Sequence, residues 1–141
     1  MFAAAKATEM QTLENNAGGF AALHDSRFPV SRVANTLQPY LRAIVEKIQP
    51  LKVILFGSYA YGTPTDHSDF DLLVIRKSLS SSKASNMEIR VAIQDVSAPP
   101  ASFTFLSQTP AGLEEKMRSE SFIYREIVEK GLELYAAEEN Q

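Results

Sequence analysis

Two acidic residues of this chain have a spacing that could do chemistry. Asp69 and Asp71 are separated by one residue and run into the apolar segment 72–75. Positions i and i+2 of a β-strand place their side chains on one face, so the two carboxylates are expected to lie side by side. Neighbouring carboxylates repel each other unless a cation is bound, and hard oxygen ligands suit Mg²⁺ or Mn²⁺. The pair therefore predicts a divalent-metal site.

A glycine-serine pair, Gly57 and Ser58, follows another apolar run at 53–56. Glycine lets the backbone turn sharply and approach a ligand closely. Ser58 is expected to begin a short helix that Gly62 and Pro64 end. Free N–H groups at a helix start favour anions such as phosphate. A strand, this turn and a second strand with two acids together predict a site for a nucleoside triphosphate and its metal.

Each half of this pattern also has a simple structural interpretation. A Gly-Ser pair is a common turn, and an Asp-x-Asp pair often lies at a solvated strand edge. Their occurrence together, between two hydrophobic strands, favours the functional interpretation. His67 lies beside the acids and is interpreted as a hydrogen-bonding neighbour rather than a metal ligand. Arg76 and Lys77 are interpreted as solvated residues at a strand end.

Two segments carry a resemblance to the minimal nucleotidyltransferases of the DNA polymerase β superfamily. They are Leu-Phe-Gly-Ser-Tyr-Ala-Tyr-Gly at 55–62 and Ser-Asp-Phe-Asp-Leu-Leu-Val at 68–74. The resemblance extends more loosely from about residue 39 to residue 135. It implies an α/β (α+β) fold in which helices flank a small mixed sheet. It also implies that Gly57 and Ser58 bind the nucleotide, and that Asp69 and Asp71 are the catalytic, metal-binding residues.

The activity of that family is transfer of a nucleoside monophosphate from a nucleoside triphosphate to an acceptor hydroxyl, with release of pyrophosphate. The resemblance implies that ATP or another triphosphate is the substrate and that AMP is the group transferred. Many members are antitoxins paired with a HEPN-domain toxin, and some attach AMP to a toxin tyrosine. A HEPN-domain protein is therefore the partner that the resemblance implies.

Two positions depart from the family's pattern. Active members usually place a third carboxylate on the third strand, where it takes the proton from the acceptor hydroxyl. The corresponding strand here, 102–106, has no acid, and Thr104 stands in that place. Asp95 is the nearest carboxylate, but it precedes a Pro-Pro break, and Tyr61 stands where the family often has a basic residue. The alternative is a degenerate relative that binds a nucleotide or a HEPN-type partner without turnover.

Composition limits the function classes. A chain of 141 residues predicts one core, with residues 1–30 as a helical or mobile N-terminal extension and 31–141 as the nucleotidyltransferase domain. It leaves little room for the second domain that enzymes acting on aminoglycosides usually carry, which ranks a small-molecule acceptor third. The net charge of −3 makes a nucleic-acid partner unexpected. Zero cysteines fit a cytoplasmic protein, and no apolar run is long enough for a membrane span.

Apolar spacing predicts the remaining elements. Helical spacing predicts a helix over 31–48, interrupted at Pro39. The serine-rich segment 78–85 is expected to be a flexible connection. Segment 87–96 fits both a strand and a helix, and the family layout favours the helix.

The C-terminal third is predicted to hold two helices and a strand. Thr109 and Pro110 are a typical helix start, with a hydroxyl cap followed by proline at the first helical position. Ser119 is expected to cap the second helix, which Gly131 ends. Residues 132–135 are expected to form a short terminal strand.

Overall fold

A computed structural model describes residues 20–138 of the chain. Two 3₁₀ segments, Ala21–His24 and Pro29–Val33, lead into the first helix. The elements that follow are α1 (Ala34–Ile48), β1 (Lys52–Phe56), α2 (Ser58–Tyr61), β2 (Phe70–Ile75), α3 (Ser82–Ile93), β3 (Phe103–Gln108), α4 (Pro110–Arg118), α5 (Phe122–Lys130) and β4 (Leu132–Ala136). Most of the predicted N-terminal extension, residues 1–19, lies outside the described residues.

The four strands form one mixed sheet in the order β3-β2-β1-β4, which confirms the predicted fold class. Strand β1 pairs antiparallel with both β2 and β4, and β2 pairs parallel with β3. The end of β1 therefore lies beside the beginnings of β2 and β3. In register, Phe56 lies opposite Asp71, and Asp71 lies opposite Thr104. The turn after β1 and the acids of β2 thus meet at one end of the sheet.

Helices cover both faces of the sheet. Alternate residues of β2, including Phe70 and Leu72, are buried in a large core with residues of α1 and α3. Leu73 and Ile75 face the other way and pack with Ile127 of α5. Burial on two sides explains why β1 and β2 read as continuous apolar runs. Asp71 belongs to the same face as Leu73, so its carboxylate emerges at the open end of the α5 side.

The predicted interruption at Pro39 is wrong. Helix α1 continues from Ala34 to Ile48 with Pro39 inside it. A proline in the second turn gives up one backbone hydrogen bond, to the carbonyl of Asn35 near the helix start. The apolar face of α1, with Leu37, Leu41 and Ile44 fully buried, outweighs that loss.

Two predictions about serines are also wrong. The segment 78–85 is not a flexible connection throughout, because Ser81 Oγ accepts a hydrogen bond of 3.0 Å from the Ala84 N–H and caps α3. Ser119 ends α4, with its hydroxyl donating to the Lys116 carbonyl at 3.0 Å, and α5 follows Ser121 instead. The helix favoured for 87–96 is confirmed as the main part of α3.

The cap at Thr109 is confirmed by a 3.0 Å bond from the Gly112 N–H to the threonine hydroxyl. Gly62 directly follows α2, as predicted, and Gly131 directly follows α5. The terminal strand is present as β4. Within residues 20–138, every helix is too short or too polar to cross a lipid bilayer.

Candidate active site

The turn between β1 and α2 is built around Gly57. Its φ of 79° and ψ of −158° lie in a region that side chains other than glycine rarely adopt. A Cβ atom at this position would lie 2.0 Å from Asp71 Oδ2. Glycine is therefore required twice, once for the backbone conformation and once for the space that the carboxylate occupies. The structure brings the predicted turn and the predicted acid into direct contact.

Asp69, just before β2, and Asp71, within β2, both lie beside Thr104 of β3. The Thr104 hydroxyl donates to Asp69 Oδ2 at 3.3 Å. This is a long distance for an O–H···O hydrogen bond, so the contact is weak and easily exchanged. Within residues 20–138, neither acid forms an ion pair with lysine or arginine. The two carboxylates are thus close together, and no cationic side chain in the described part of the chain pairs with them.

The surroundings of Asp71 disfavour its negative charge. Burial raises the pKa of Asp71 above its ordinary value, a hydrogen bond from Thr104 works against this, and the charge of Asp69 adds to the rise. A hydroxyl has one proton, so Thr104 can donate to Asp71 only when it releases Asp69. A bound cation would offset the repulsion by Asp69, which adds to the larger effect of burial on this pKa.

These observations fit a divalent metal. The described residues contain no group of three or more His, Cys, Asp and Glu side chains that could hold an ion. A dedicated all-protein cage is therefore absent from this part of the chain. Mg²⁺ is commonly bound through one or two carboxylates together with substrate phosphates and water. Asp69 and Asp71 match that limited donor set.

The glycine side of the acids carries Ser58, Tyr61 and Lys130. The Ser58 side chain is half-buried and forms no hydrogen bond with the described residues. Burial raises the pKa of the Tyr61 hydroxyl, a hydrogen bond with the Gly57 backbone works against this, and the charges of Glu126 and Asp71 add to the rise. Lys130 Nζ lies 6.0 Å from the centre of the Tyr61 ring. Helix α5 thus brings a cation beside the turn.

An aromatic layer supports the acids from the opposite face of the sheet. Phe70, which separates the two aspartates, stacks on Tyr59 of α2 with ring centres 4.6 Å apart. It also contacts Phe103 of β3 at 5.6 Å, and Phe103 contacts Tyr40 of α1 at 5.1 Å. These rings fix the start of β2 against the turn and against β3. No local spacing in the sequence indicated that these rings, which come from four separate elements, would meet.

The remaining candidates have local roles. Arg76 lies at the far end of β2 and forms an ion pair of 2.7 Å with Glu88, so it is paired rather than solvated. His67 is exposed, and its backbone N–H donates to Thr65 Oγ1 at 3.2 Å. Asp95 is exposed just after α3, whereas Thr104 occupies the position opposite Asp71.

Two cavities flank the start of β2. One, of about 600 Å³, is lined by Asp69 together with residues of α1, α3 and β3. The other, of about 480 Å³, is lined by Tyr59, His67 and Ser68 among others. Both border Ala101 and Ser102, which precede β3. The first cavity therefore gives access to Asp69 from the side of α3, and the second ends at the neighbouring Ser68 and Phe70.

Comparison with known proteins identifies the family. Residues 39–133 match the family described as "Nucleotidyltransferase domain". A protein of Methanocaldococcus jannaschii named "Putative protein adenylyltransferase" is 47% identical over 47 residues. That match covers 32% of this chain and 32% of the relative, so the chain matches about a third of the relative's length. The family match covers most of the chain and includes β1, α2, β2 and β3. The chain belongs to the nucleotidyltransferase domain family.

Proposed function

We propose that this protein transfers AMP from ATP to a hydroxyl group of a protein and requires Mg²⁺ or Mn²⁺. The observation that supports this most directly is the contact between Gly57 and Asp71, with Asp69 on the same strand face. It puts the carboxylate of Asp71, with that of Asp69 nearby, against a turn whose conformation and space favour glycine. The name of the M. jannaschii relative supports a protein as acceptor.

The roles of the side chains follow from their positions. Asp69 and Asp71 would hold the metal, and Gly57 with Ser58 would hold the triphosphate. When bound, the metal neutralises phosphate charge and polarises the phosphorus that is attacked. The acceptor oxygen forms a bond to the α-phosphorus while the bond from that phosphorus to the bridging oxygen breaks. Pyrophosphate leaves, and the acceptor proton passes to water, because Thr104 is a hydroxyl and not a carboxylate.

Lys130 extends the triphosphate site beyond the turn. Its ammonium group lies over the ring of Tyr61, whose backbone N–H donates to the Gly57 carbonyl at 3.0 Å. The ion pair of Lys130 with Glu126 is long, at 3.8 Å, and the Lys130 side chain is exposed. Such pairs contribute little, so the ammonium group is free to turn to a phosphate. We assign it to the outer phosphates of ATP.

A HEPN-domain protein is the partner that we propose as acceptor, with an antitoxin role in the cytoplasm. The test incubates the purified chain with such a partner, Mg²⁺ and ATP labelled at the α-phosphate. Label is expected on the partner with wild type, and it should be lost in Asp69→Asn and in Asp71→Asn. The matched control is Asp95→Asn, which removes an exposed acid outside the site.

The alternative function is a binding module without turnover, favoured by the hydroxyl of Thr104 at the place of a third acid. It predicts that wild type and both acid variants bind the partner equally and that none of them labels it. If the wild-type chain also fails to bind Mg-ATP in calorimetry, the transferase proposal is wrong.

A further inference from the structure

The larger of the two cavities has a mixed lining. Its floor is apolar and comes from Tyr40, Ile93 and Phe103, and its polar groups are those of Asp69, Arg90 and Gln94. The volume of about 600 Å³ is enough for a large amino-acid side chain with its neighbours. A metal-site acid and an arginine thus line the same cavity.

Arg90 is positioned but not neutralised. Its Nη2 donates to the Phe103 carbonyl at 3.1 Å, and its guanidinium carbon lies 5.1 Å from the centre of the Phe105 ring. These contacts hold the side chain along β3 and leave most of its five donors uncommitted. Within residues 20–138, Arg90 forms no ion pair with a carboxylate. A guanidinium held in this way suits a carboxylate from another molecule.

The order of the strands separates this cavity from the triphosphate site. Gly57 follows β1, Asp71 lies on the central strand β2, and Phe103 begins the edge strand β3. Gly57 contacts Asp71, whose carboxylate lies on the α5 face of the sheet. The cavity lies on the face that α3 covers, and it borders Asp69 just before β2. With the triphosphate at the turn, the side that borders Arg90 is open to the second substrate.

We propose that this cavity is the acceptor subsite and that Arg90 selects a protein hydroxyl flanked by acidic residues. The inference rests on the proposed function, and it adds the chemical class of the acceptor. The acceptor side chain would lie on the apolar floor next to Asp69, and a neighbouring carboxylate would pair with Arg90. The hydroxyl oxygen of the acceptor then forms a bond to the α-phosphorus of ATP, and the bond from that phosphorus to the bridging oxygen breaks. Pyrophosphate leaves, and the hydroxyl proton passes to water. Gln94 can donate a further hydrogen bond to the acceptor backbone.

Two fluorescent peptides test the subsite. Both contain one tyrosine, flanked by glutamates in one peptide and by lysines in the other. Binding is measured by fluorescence anisotropy with Mg-ATP present, and transfer is measured with α-labelled ATP. Wild type is expected to bind the acidic peptide about tenfold more tightly, which is the scale of one charge-assisted hydrogen bond. The Arg90→Glu variant should reverse this preference.

The controls separate a binding role from a structural one. Arg118→Glu makes the same charge change at an exposed position of α4 and should leave the preference unchanged. Arg90→Lys keeps the charge and should retain part of the preference even if Arg90→Glu fails to fold. The affinity for Mg-ATP should stay within about twofold of wild type in each variant, because Arg90 lies across the acids from the turn.

The outcomes distinguish this inference from the proposed function. Equal binding of the two peptides by wild type overturns the acceptor subsite, as does an unchanged preference in folded Arg90→Lys and Arg90→Glu. Neither of these results would contradict the proposed function, which is tested separately by Mg-ATP binding and by labelling of a protein partner. Failure of wild type to bind Mg-ATP would instead contradict the proposed function. In that case the preference between the two peptides, measured without nucleotide, still tests the role of Arg90.

Discussion

The residues beside the two aspartates differ between the β1 side and the β3 side of the pair. On the β1 side, a glycine in a conformation other residues rarely adopt touches Asp71, and Lys130 lies over the neighbouring tyrosine. On the β3 side, the position opposite Asp71 holds Thr104, a hydroxyl that cannot act as a carboxylate base. In the function that we propose, the β1 side binds phosphate, and the β3 side, which binds the acceptor, has a hydroxyl in place of a carboxylate base. Nucleotide binding and catalytic rate should therefore respond to different substitutions.

Gly57→Ala should have the largest effect on the β1 side. The residue has a backbone conformation that costs other residues about 1–3 kcal/mol, and its new Cβ would overlap Asp71 Oδ2. We expect Mg-ATP affinity to fall by about ten- to a hundredfold, since 1.4 kcal/mol corresponds to a factor of ten. Calorimetry measures the affinity, and a melting curve reports the lost stability.

The matched control for this substitution is Gly112→Ala. Gly112 lies in α4, where alanine is the better helix former, and the new methyl group would meet the flexible end of Gln108. It should bind Mg-ATP like wild type. Normal binding by Gly57→Ala would show that the turn does not position the nucleotide.

Thr104→Asp tests the β3 side. Restoring a carboxylate opposite Asp71 should supply a general base and raise the transfer rate by about 10- to 100-fold, within the range such groups contribute. Thr104→Val has nearly the same shape without the hydroxyl, and it should leave the rate within about threefold of wild type, because a weak hydrogen bond contributes little. Single-turnover labelling measures both. A lower rate in Thr104→Asp, with Mg-ATP affinity retained, would contradict the account of this side.

Lys130→Gln tests the assignment of the outer phosphates. Affinity for Mg-ATP should fall about tenfold, and affinity for AMP should change little, since a charged contact to phosphate contributes about 1.5–3 kcal/mol. Lys116→Gln on α4 is the control, because it removes the same charge from an exposed position. An equal loss of affinity for ATP and for AMP would show that Lys130 does not contact the outer phosphates.

The raised pKa of Asp71 predicts the smallest effects. The folded chain binds this proton more tightly than the unfolded chain, so stability without metal falls as the pH rises through the window between the two pKa values. Asp71→Asn should therefore stabilise the metal-free chain at pH 7, by about 1 kcal/mol or less. Mn²⁺ affinity should rise with pH through the same window. Melting curves at two pH values, with Asp95→Asn as control, measure the first effect.

Local signals explain what the sequence could predict. The apolar runs on each side of the Gly57 turn, and the glycine that ends α2, act within a few residues, so β1, α2 and β2 could be placed in advance. The side that each aspartate faces followed from strand periodicity. Ser119 and Ser121 are both good caps, and the choice between them depends on how α4 and α5 pack, which local spacing does not contain.

Long-range pairing explains what the sequence could not predict. Lys130 reaches the turn because Gly131 lies against Ile54 and Leu55 of β1, far away in sequence. Arg90 reaches the cavity because α3 packs beside β3. The sequence could not predict this contact, because the segment that contains Arg90 fitted a strand as well as a helix. Only the position of Lys130 directly before a helix-ending glycine and a terminal strand was a usable signal.

The most direct test of the shared site is calorimetric titration of Mg-ATP into wild type and Asp71→Asn. The account predicts saturable binding by wild type that disappears without Mg²⁺, and at least about tenfold weaker binding by the variant, since it removes a charged ligand. The variant should fold at least as stably as wild type. Equal affinity in the two proteins, or binding that does not depend on Mg²⁺, would contradict a site formed by the glycine turn and the two acids.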